Sequence, residues 1–130
     1  FSVYLAHCFE ARYTYLPPIV DELERAGITV TSTWILDPNV TFVPRDENAL
    51  TDLHDIDRAD ALVLFTDQYE GRPGKGKWIE MGFAFANGKD IILCGEDTTS
   101  SVFYHLPGLS RCKVEDLKKT LLEISGGFKA

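Results

Sequence analysis

The stretch Ala61-Leu62-Val63-Leu64-Phe65 is apolar at every position, in a chain of 130 residues. A strand with one solvated face alternates apolar and polar residues, whereas a strand covered on both faces of a parallel sheet is apolar throughout. Asp90-Ile91-Ile92-Leu93-Cys94 has the same character, and Ser2 to Ala6 is a third run of β-formers. The chain is therefore predicted to contain a parallel sheet.

Helical patterns separate these runs. Apolar residues recur every three or four positions in four stretches, which are Leu16 to Leu23, Leu50 to Ala59, Trp78 to Asn87, and Val114 to Ile124, the last ended by Gly126 and Gly127. Ile28 to Ile35 alternates and predicts a second strand, and Ser110 to Lys113 predicts a short fifth strand. Strands and helices thus alternate. This order predicts one α/β domain over 1–130, a three-layer Rossmann- or flavodoxin-like sandwich with a parallel sheet of about five strands.

Composition narrows the function classes. The chain is 45% hydrophobic, and its 20 acidic against 13 basic residues give a net charge of −7, which disfavours duplex nucleic acid and leaves a mononucleotide open. No apolar run approaches the ~20 residues of a membrane span, and the first residues lack a basic leader, so neither membrane insertion nor secretion is expected. Cys8, Cys94 and Cys112 form no C-x-x-C pair, which predicts reduced thiols in a cytoplasmic protein.

In parallel α/β sheets, ligands bind beyond the carboxyl ends of the strands. Four segments are expected at that edge: His7 to Arg12, the irregular loop after Trp34, Asp67 to Glu80, and Gly95 to Leu106. The loop at 37–45 is long enough to form a lid or a wall of the site.

Glu80 is the first candidate for chemistry. It follows the glycine-rich segment Gly71 to Lys77 and is expected in the opening turn of a helix. An anion there is favoured by ~0.3–1 kcal/mol, so Glu80 is expected to be ionised and able to act as a nucleophile or base. The alternative is that an acidic residue in a first turn only complements the helix dipole. The glycine-rich segment matches neither the P-loop nor the dinucleotide fingerprint.

Four carboxylates crowd the second helix and its end: Asp52, Asp55, Asp57 and Asp60. Like charges three positions apart destabilise a helix by roughly 0.2–0.5 kcal/mol. Either this is a solvated acidic face, or one carboxylate turns toward the site and binds sugar hydroxyls.

The sequence lacks the signatures of a metal site and of a serine hydrolase. His7, His54 and His105 lack metal-ligand spacing, and no G-x-S-x-G sequence occurs. No metal and no cofactor are therefore predicted, and a serine or cysteine hydrolase is disfavoured.

Three pieces in the same order resemble the nucleoside 2-deoxyribosyltransferase superfamily. They are Val3-Tyr4-Leu5-Ala6, then Asp52-Leu53 with Ile56 and Ala59-Asp60, then Gly76-Lys77-Trp78-Ile79-Glu80-Met81-Gly82-Phe83-Ala84 with Gly88-Lys89. The resemblance runs from Tyr4 to Cys94. The segment Phe103-Tyr104-His105-Leu106-Pro107 is similar to a transferase-like branch found in phages and bacteria.

The resemblance implies roles for individual residues. It makes Glu80 the nucleophile that holds the sugar as a covalent ester, Tyr4 the phenol that positions this carboxylate, and Asp52 the group that binds a sugar hydroxyl. The substrate is then expected to contact a further set, which is Ala6, His7, Arg12, Trp34, Asp67, Gly76 and Met81. The resemblance also implies a homo-oligomer, a dimer or larger. Five bulky residues between Val102 and Leu109 suit an interface or packing on the sheet.

One position departs from the family pattern. Gly74 stands where the transferases carry an Asp that protonates the departing base and the nucleotide hydrolases carry a Ser. Asp67 or Glu70 could supply this acid from elsewhere. The segment Ala6-His7-Cys8 also lacks the Gly-Ser of a 5′-phosphate cradle, which leaves Arg12 as the nearest basic residue.

The resemblance predicts cleavage of the N-glycosidic bond of a nucleoside or nucleoside monophosphate, with transfer of the sugar to another base. Two alternatives stay open: hydrolysis, with water as the acceptor, and a nucleotide-binding module that has lost the reaction.

Overall fold

The sheet has five strands, all parallel. A computed structural model describes residues 1–67, 69–72, 74–96 and 101–128. Of these, residues 127 and 128 are described by their backbone alone. The strands are β1 (Ser2–Ala6), β2 (Thr29–Val30), β3 (Ala61–Phe65), β4 (Asp90–Cys94) and β5 (Ser110–Cys112), in the order β2-β1-β3-β4-β5. This is a flavodoxin-like sheet flanked by helices, and the predicted fold class is confirmed.

The helices are α1 (Leu16–Arg25), α2 (Arg45–Asp57), α3 (Lys75–Ala86) and α4 (Leu117–Phe128). The strand order reverses after β2, so right-handed crossovers place α1 on one face and α2 with α3 on the other. Helices α2 and α3 contact each other and β1, and α3 also packs on β3 and β4. An ion pair of 3.7 Å between Lys118 of α4 and Glu22 of α1 joins the other two helices. The switch point between β1 and β3 therefore lies beneath α2 and α3.

The central strands form the core. All five residues of β3 are fully buried, as are Val3 to Ala6 of β1, which matches the apolar pattern of these strands. Tyr4 is among the largest of these buried side chains. A polar phenol in this position requires a hydrogen-bond partner, because burial of an unpaired hydroxyl is costly.

The predicted strand over Ile28 to Ile35 is wrong for most of its length. Only Thr29–Val30 pairs with β1, and Thr33–Ile35 forms a 3₁₀ turn. The hydroxyl of Ser32 accepts a hydrogen bond of 2.8 Å from the Leu5 amide, and the Asp55 carboxylate accepts bonds from the amide and hydroxyl of Thr33. These side chains take the place of the strand ladder.

The helix ends also differ from the sequence expectation. Helix α2 begins at Arg45, directly after Pro44, and α3 begins at Lys75, after Gly74 in the left-handed conformation. Helix α4 continues through Gly126 and Gly127 to Phe128. Periodicity finds the apolar face of a helix and does not report polar or glycine residues that continue it.

The three cysteines carry free thiols. Across the described part of the chain, no helix combines the length and apolar character that a membrane span requires.

Candidate functional site

A cavity of about 640 Å³ opens at the carboxyl ends of β1 and β3. Its wall comes from five segments: the residues that follow β1, the 3₁₀ turn that contains Trp34, Val40 in the loop after that turn, the middle of α2, and the first half of α3 with the residues before it. This is the switch point at which doubly wound sheets bind ligands. Its size lies within the range of small-molecule sites.

Tyr4 and Glu80 meet beneath this cavity. The Tyr4 phenol, fully buried on β1, donates a hydrogen bond to Oε2 of Glu80 on α3. Glu80 lines the cavity, as does Asp52 of α2. The three residues that the resemblance singles out are therefore brought together: two carboxylates on the cavity wall and one phenol behind them.

Burial controls the titration of this group. Desolvation raises the pKa of Glu80 to about 8; the hydrogen bond from Tyr4 lowers it, and the charge of Asp52 raises it. Desolvation, with the charge of Asp55, raises the pKa of Asp52 to about 6. Burial and the neighbouring Glu80 raise the pKa of Tyr4 far above its ordinary value, so the phenol stays a donor. Clustered carboxylates with raised pKa values in a cleft are typical of functional sites.

The expected place of Glu80 in the first helical turn is wrong. Helix α3 begins at Lys75, so Glu80 is its sixth residue and lies in the second turn. The helix dipole acts mainly within the first turn and does not favour the ionised form here. Burial instead favours the neutral carboxyl, and Tyr4 is the group that opposes it.

The carboxylates of the acidic cluster on and after α2 have different surroundings. Asp52 faces the cavity. Asp55 is buried, holds Thr33 and pairs with Arg58 at 3.0 Å. Asp60 accepts hydrogen bonds from the amide and hydroxyl of Ser2. Thus one carboxylate of the cluster turns to the cavity while two others fasten loops to the sheet.

Gly74 is held against Cys8. A Cβ added at Gly74 would lie 3.0 Å from the Cβ of Cys8 and 3.1 Å from its amide nitrogen, and the φ of Gly74 is +62°. Only glycine adopts this conformation readily in such a close approach. A side chain at position 74 would therefore crowd Cys8, the second residue after β1.

The remaining predicted contacts fall into two groups. His7, Trp34 and Gly76 line the cavity. Four others lie outside the lining: Ala6 and Met81 are buried in the core, Asp67 lies at the end of β3, and Arg12 is held by carbonyl groups.

Arg12 fastens two loops together. Its guanidinium donates to the carbonyls of Ile35 at 3.3 Å and Asp37 at 2.5 Å, and its Cζ lies 5.1 Å from the centre of the Phe9 ring. It therefore ties the turn after β1 to the turn that carries Trp34.

His7, on the cavity wall, faces Asp67, which lies outside the lining. His7 Nδ1 accepts the Cys8 amide at 2.8 Å, and Nε2 lies 3.7 Å from Oδ1 of Asp67. Burial lowers the pKa of His7 to about 4, against the raising effect of Asp67. The imidazole is consequently neutral at pH 7 and is packed parallel to Phe65. Neither Asp67 nor the exposed Glu70 lines the cavity.

Lys77 is a buried lysine outside the predicted set of site residues. It is 1% exposed, and its Nζ donates to the carbonyls of Phe65 at 2.7 Å and Asp67 at 3.2 Å. It thus fastens α3 to the end of β3, three residues before Glu80.

The lining also contains residues that were not named as candidates from the sequence, among them Phe9, Glu10, Val40, Asn48, Ala49 and Arg72. Phe9 and Glu10 lie within a segment expected at this edge, but no motif marks them. In the described residues, no three His, Cys, Asp or Glu side chains converge as a metal-ligand set.

Comparison with known proteins finds likeness in structure only. No family model matches the chain, and no curated protein matches its sequence. Among solved structures, the CMP N-glycosidase BcmB of Clostridium botulinum is similar, with a TM-score of 0.67 and 20% sequence identity, over 93% of this chain and 98% of that one. At this identity the likeness shows a shared fold over nearly the whole length of both chains.

Proposed function

We propose that this chain cleaves the N-glycosidic bond of a nucleoside or nucleoside monophosphate, as a member of the nucleoside 2-deoxyribosyltransferase superfamily. The observation that carries the proposal is the contact between the Tyr4 phenol and Glu80, with Asp52 on the same cavity wall. The family pattern places these three residues together, and they come from three separate elements of the fold. The structural likeness to a CMP N-glycosidase supports the same reaction class.

Glu80 is the nucleophile in this proposal. Its ionised carboxylate attacks the anomeric carbon, the bond from that carbon to the base nitrogen breaks, and the electron pair of that bond leaves with the base. The base takes up a proton, and the sugar remains as an ester on Glu80. An acceptor then attacks the same carbon, and the ester oxygen leaves as the free carboxylate. Two inversions give net retention, as in retaining glycosidases.

Tyr4 and Asp52 assist Glu80. The Tyr4 hydrogen bond stabilises the carboxylate before attack and orients its oxygen. Asp52 binds a sugar hydroxyl, which fixes the anomeric carbon over Glu80. Both carboxyl groups are partly protonated near neutral pH because their pKa values are raised to about 8 and about 6. The active form is the one in which Glu80 is ionised.

Transfer to a second base is the proposed outcome, and hydrolysis is the second candidate. Gly74, packed on Cys8, supports hydrolysis because no side chain at that position can bind and protonate an acceptor base. The deciding experiment supplies a donor nucleoside with and without an excess of a different free base and follows both products by chromatography. Faster formation of a new nucleoside than of free sugar supports transfer, and free sugar alone supports hydrolysis.

The same observation at Gly74 supports a third candidate, a nucleotide-binding module without activity. A panel of nucleosides and monophosphates tests it directly. Free base or new nucleoside contradicts the silent module, whereas saturable binding with no product in any reaction contradicts the enzyme.

We also propose that residues 1–130 act as one domain and that two or more copies associate. Ile79 lines the cavity and is 74% exposed, and Leu50 on α2 is 69% exposed. A second copy on this face would cover apolar side chains and border the cavity. Within the segment named from the sequence, Val102 and Phe103 are exposed, whereas Tyr104 packs against the core. Light scattering at micromolar concentration tests the association, and a mass near 14.6 kDa contradicts it.

A further inference from the structure

We propose that Glu10 recognises the base by accepting hydrogen bonds from an amino group and the adjacent ring N–H, while the base lies against Phe9 and Trp34. The substrate class is then a nucleoside whose base carries an exocyclic amino group beside a ring nitrogen, as cytosine does. The inference rests on the proposed function and adds the base specificity of that site.

An aromatic surface on the cavity wall supports this assignment. The rings of Phe9 and Trp34 have centres 6.3 Å apart and planes inclined by 26°, and both residues line the cavity. Phe9 is 39% exposed, so its ring is accessible to a ligand. Flat bases stack on such rings. This surface marks the base end of the cavity.

The aromatic surface is held in place by other side chains. Arg12 links the Phe9 turn to the Trp34 turn through the Ile35 and Asp37 carbonyls. Asp55 fixes Thr33, the residue before Trp34, with a hydrogen bond of 2.7 Å to its hydroxyl. A base would therefore meet a preorganised surface, which reduces the entropy lost on binding.

Glu10 is the carboxylate left without a role by the proposed mechanism. Three carboxylates line the cavity within the described residues: Asp52 and Glu80 on α2 and α3, and Glu10 on the turn after β1. Glu10 follows Phe9 in the chain, and both residues line the cavity. Its Oε2 lies 3.8 Å from Nη1 of Arg72, and the two side chains are 35% and 57% exposed. This pair lies at the mouth of the cavity.

An ionised carboxylate offers acceptors only. It can bind two parallel N–H groups, and this bidentate arrangement is both strong and specific. Cytosine protonated at N3 presents that N–H beside its amino group. Uracil presents one N–H between two carbonyl oxygens, which a carboxylate repels. A carboxylate at Glu10 therefore favours the amino base over the keto base.

The same contact also assists departure of the base. In this step a solvent proton binds N3 of cytosine, the glycosidic bond breaks, and its electron pair moves into the ring at N1, so that neutral cytosine leaves. Glu10 stabilises the protonated ring, and no acid at position 74 is needed. This agrees with the packing of Gly74 against Cys8, which crowds any side chain at that position.

The test compares cytidine with uridine, their 2′-deoxy forms and their monophosphates, in the wild-type protein and in Glu10→Gln. Glu123→Gln, an exposed change on α4, is the matched control. Wild type and control are expected to release cytosine with a kcat/KM about tenfold or more above that for uracil. Glu10→Gln is expected to bring this ratio within about threefold, because an amide offers one donor beside one acceptor and can therefore pair with either base. A wild-type ratio near one, or an unchanged ratio in Glu10→Gln, overturns the inference.

Equilibrium binding separates this inference from the proposed function. Free cytosine and free uracil are titrated into the Glu80→Gln protein and into the Glu80→Gln, Glu10→Gln double variant. Tighter binding of cytosine that is lost in the double variant supports the role of Glu10, even if no nucleoside releases a base and the proposed function fails. Equal binding of the two bases, or binding of neither, overturns it.

Discussion

The phenol of Tyr4 donates a hydrogen bond to Oε2 of Glu80 from 76 positions away in the chain. Tyr4 belongs to β1, the strand at the switch point, and Glu80 to α3, which packs on that strand. The contact therefore depends on the whole β1-to-α3 arrangement and not on local sequence. It stabilises the carboxylate in a place where burial favours the neutral acid, and the predictions below follow from this balance.

Glu80→Gln is expected to remove base release while the protein stays folded. The amide has nearly the same shape, its oxygen can accept the Tyr4 hydrogen bond, and it cannot attack the anomeric carbon. Chromatography of free base measures the activity, and a thermal unfolding midpoint checks the fold. Activity within severalfold of wild type at an unchanged midpoint contradicts the role of Glu80 as nucleophile.

Glu80→Gln is also expected to change the pH dependence of stability. Because burial raises the pKa of Glu80 from 4.5 to about 8, stability is full below 4.5 and falls as pH rises through the folded value. The variant lacks this loss, so its free energy of unfolding at pH 8 should exceed that of wild type by about 1 kcal/mol or more. This difference in stability should close toward pH 4.5. Urea unfolding across this range measures it, with Glu123→Gln as the control. A gap that does not depend on pH shows that Glu80 does not titrate in this way.

Tyr4→Phe is expected to move the acidic limb of the pH–rate profile to higher pH. The Tyr4 hydrogen bond lowers the pKa of Glu80, so its loss raises that pKa and leaves less ionised Glu80 at pH 7. The rate at neutral pH should fall and recover partly in alkali. Profiles of kcat/KM from pH 5 to pH 10 record the limb. A uniform fall at every pH would show that Tyr4 acts only on structure.

Asp52→Asn is expected to move the acidic limb of the pH–rate profile to lower pH, opposite to the shift in Tyr4→Phe. The charge of Asp52 raises the pKa of Glu80, so an uncharged side chain lets Glu80 ionise at lower pH. The KM for the nucleoside should rise, because a contact to the sugar hydroxyl is weakened. If the acidic limbs of Tyr4→Phe and Asp52→Asn shift in the same direction, then the Tyr4 hydrogen bond and the Asp52 charge do not set the titration of Glu80.

The sequence predicted the parts of the fold that depend on apolar pattern. β3 and β4 were predicted with their observed bounds because they are buried on both faces. The prediction of a strand at Ile28 to Ile35 failed because the side chains of Ser32 and Asp55 accept hydrogen bonds from backbone amides that a strand ladder would otherwise pair. These two residues are distant from their partners in sequence. Such side-chain bonds leave no periodic trace.

The residues of the site also divide into those that a sequence pattern predicts and those that it does not. Tyr4, Asp52 and Glu80 were named through a family pattern, and the structure brings them together. Glu10 was not named, since one acidic residue in an irregular turn carries no spacing signal. Arg12 was named as a basic residue near the site, but only coordinates show that the Ile35 carbonyl holds its guanidinium.

Gly74 and Gly71 provide a matched pair for the last prediction. Both have positive φ, +62° and +75°, but a Cβ at Gly74 meets Cys8 at 3.0 Å, whereas a Cβ at Gly71 meets nothing within 4 Å. Alanine at either position carries the strain of the left-handed conformation, about 1 kcal/mol. Gly74→Ala must in addition displace the backbone of Cys8, so it should lose about 1–3 kcal/mol more than Gly71→Ala. It should also lower activity, because α3 begins beside Gly74 and carries Glu80. Urea unfolding of both variants measures the difference. Equal losses would mean that the segment at Gly74 moves away from Cys8 at little cost, and an acid at position 74 could then be accommodated.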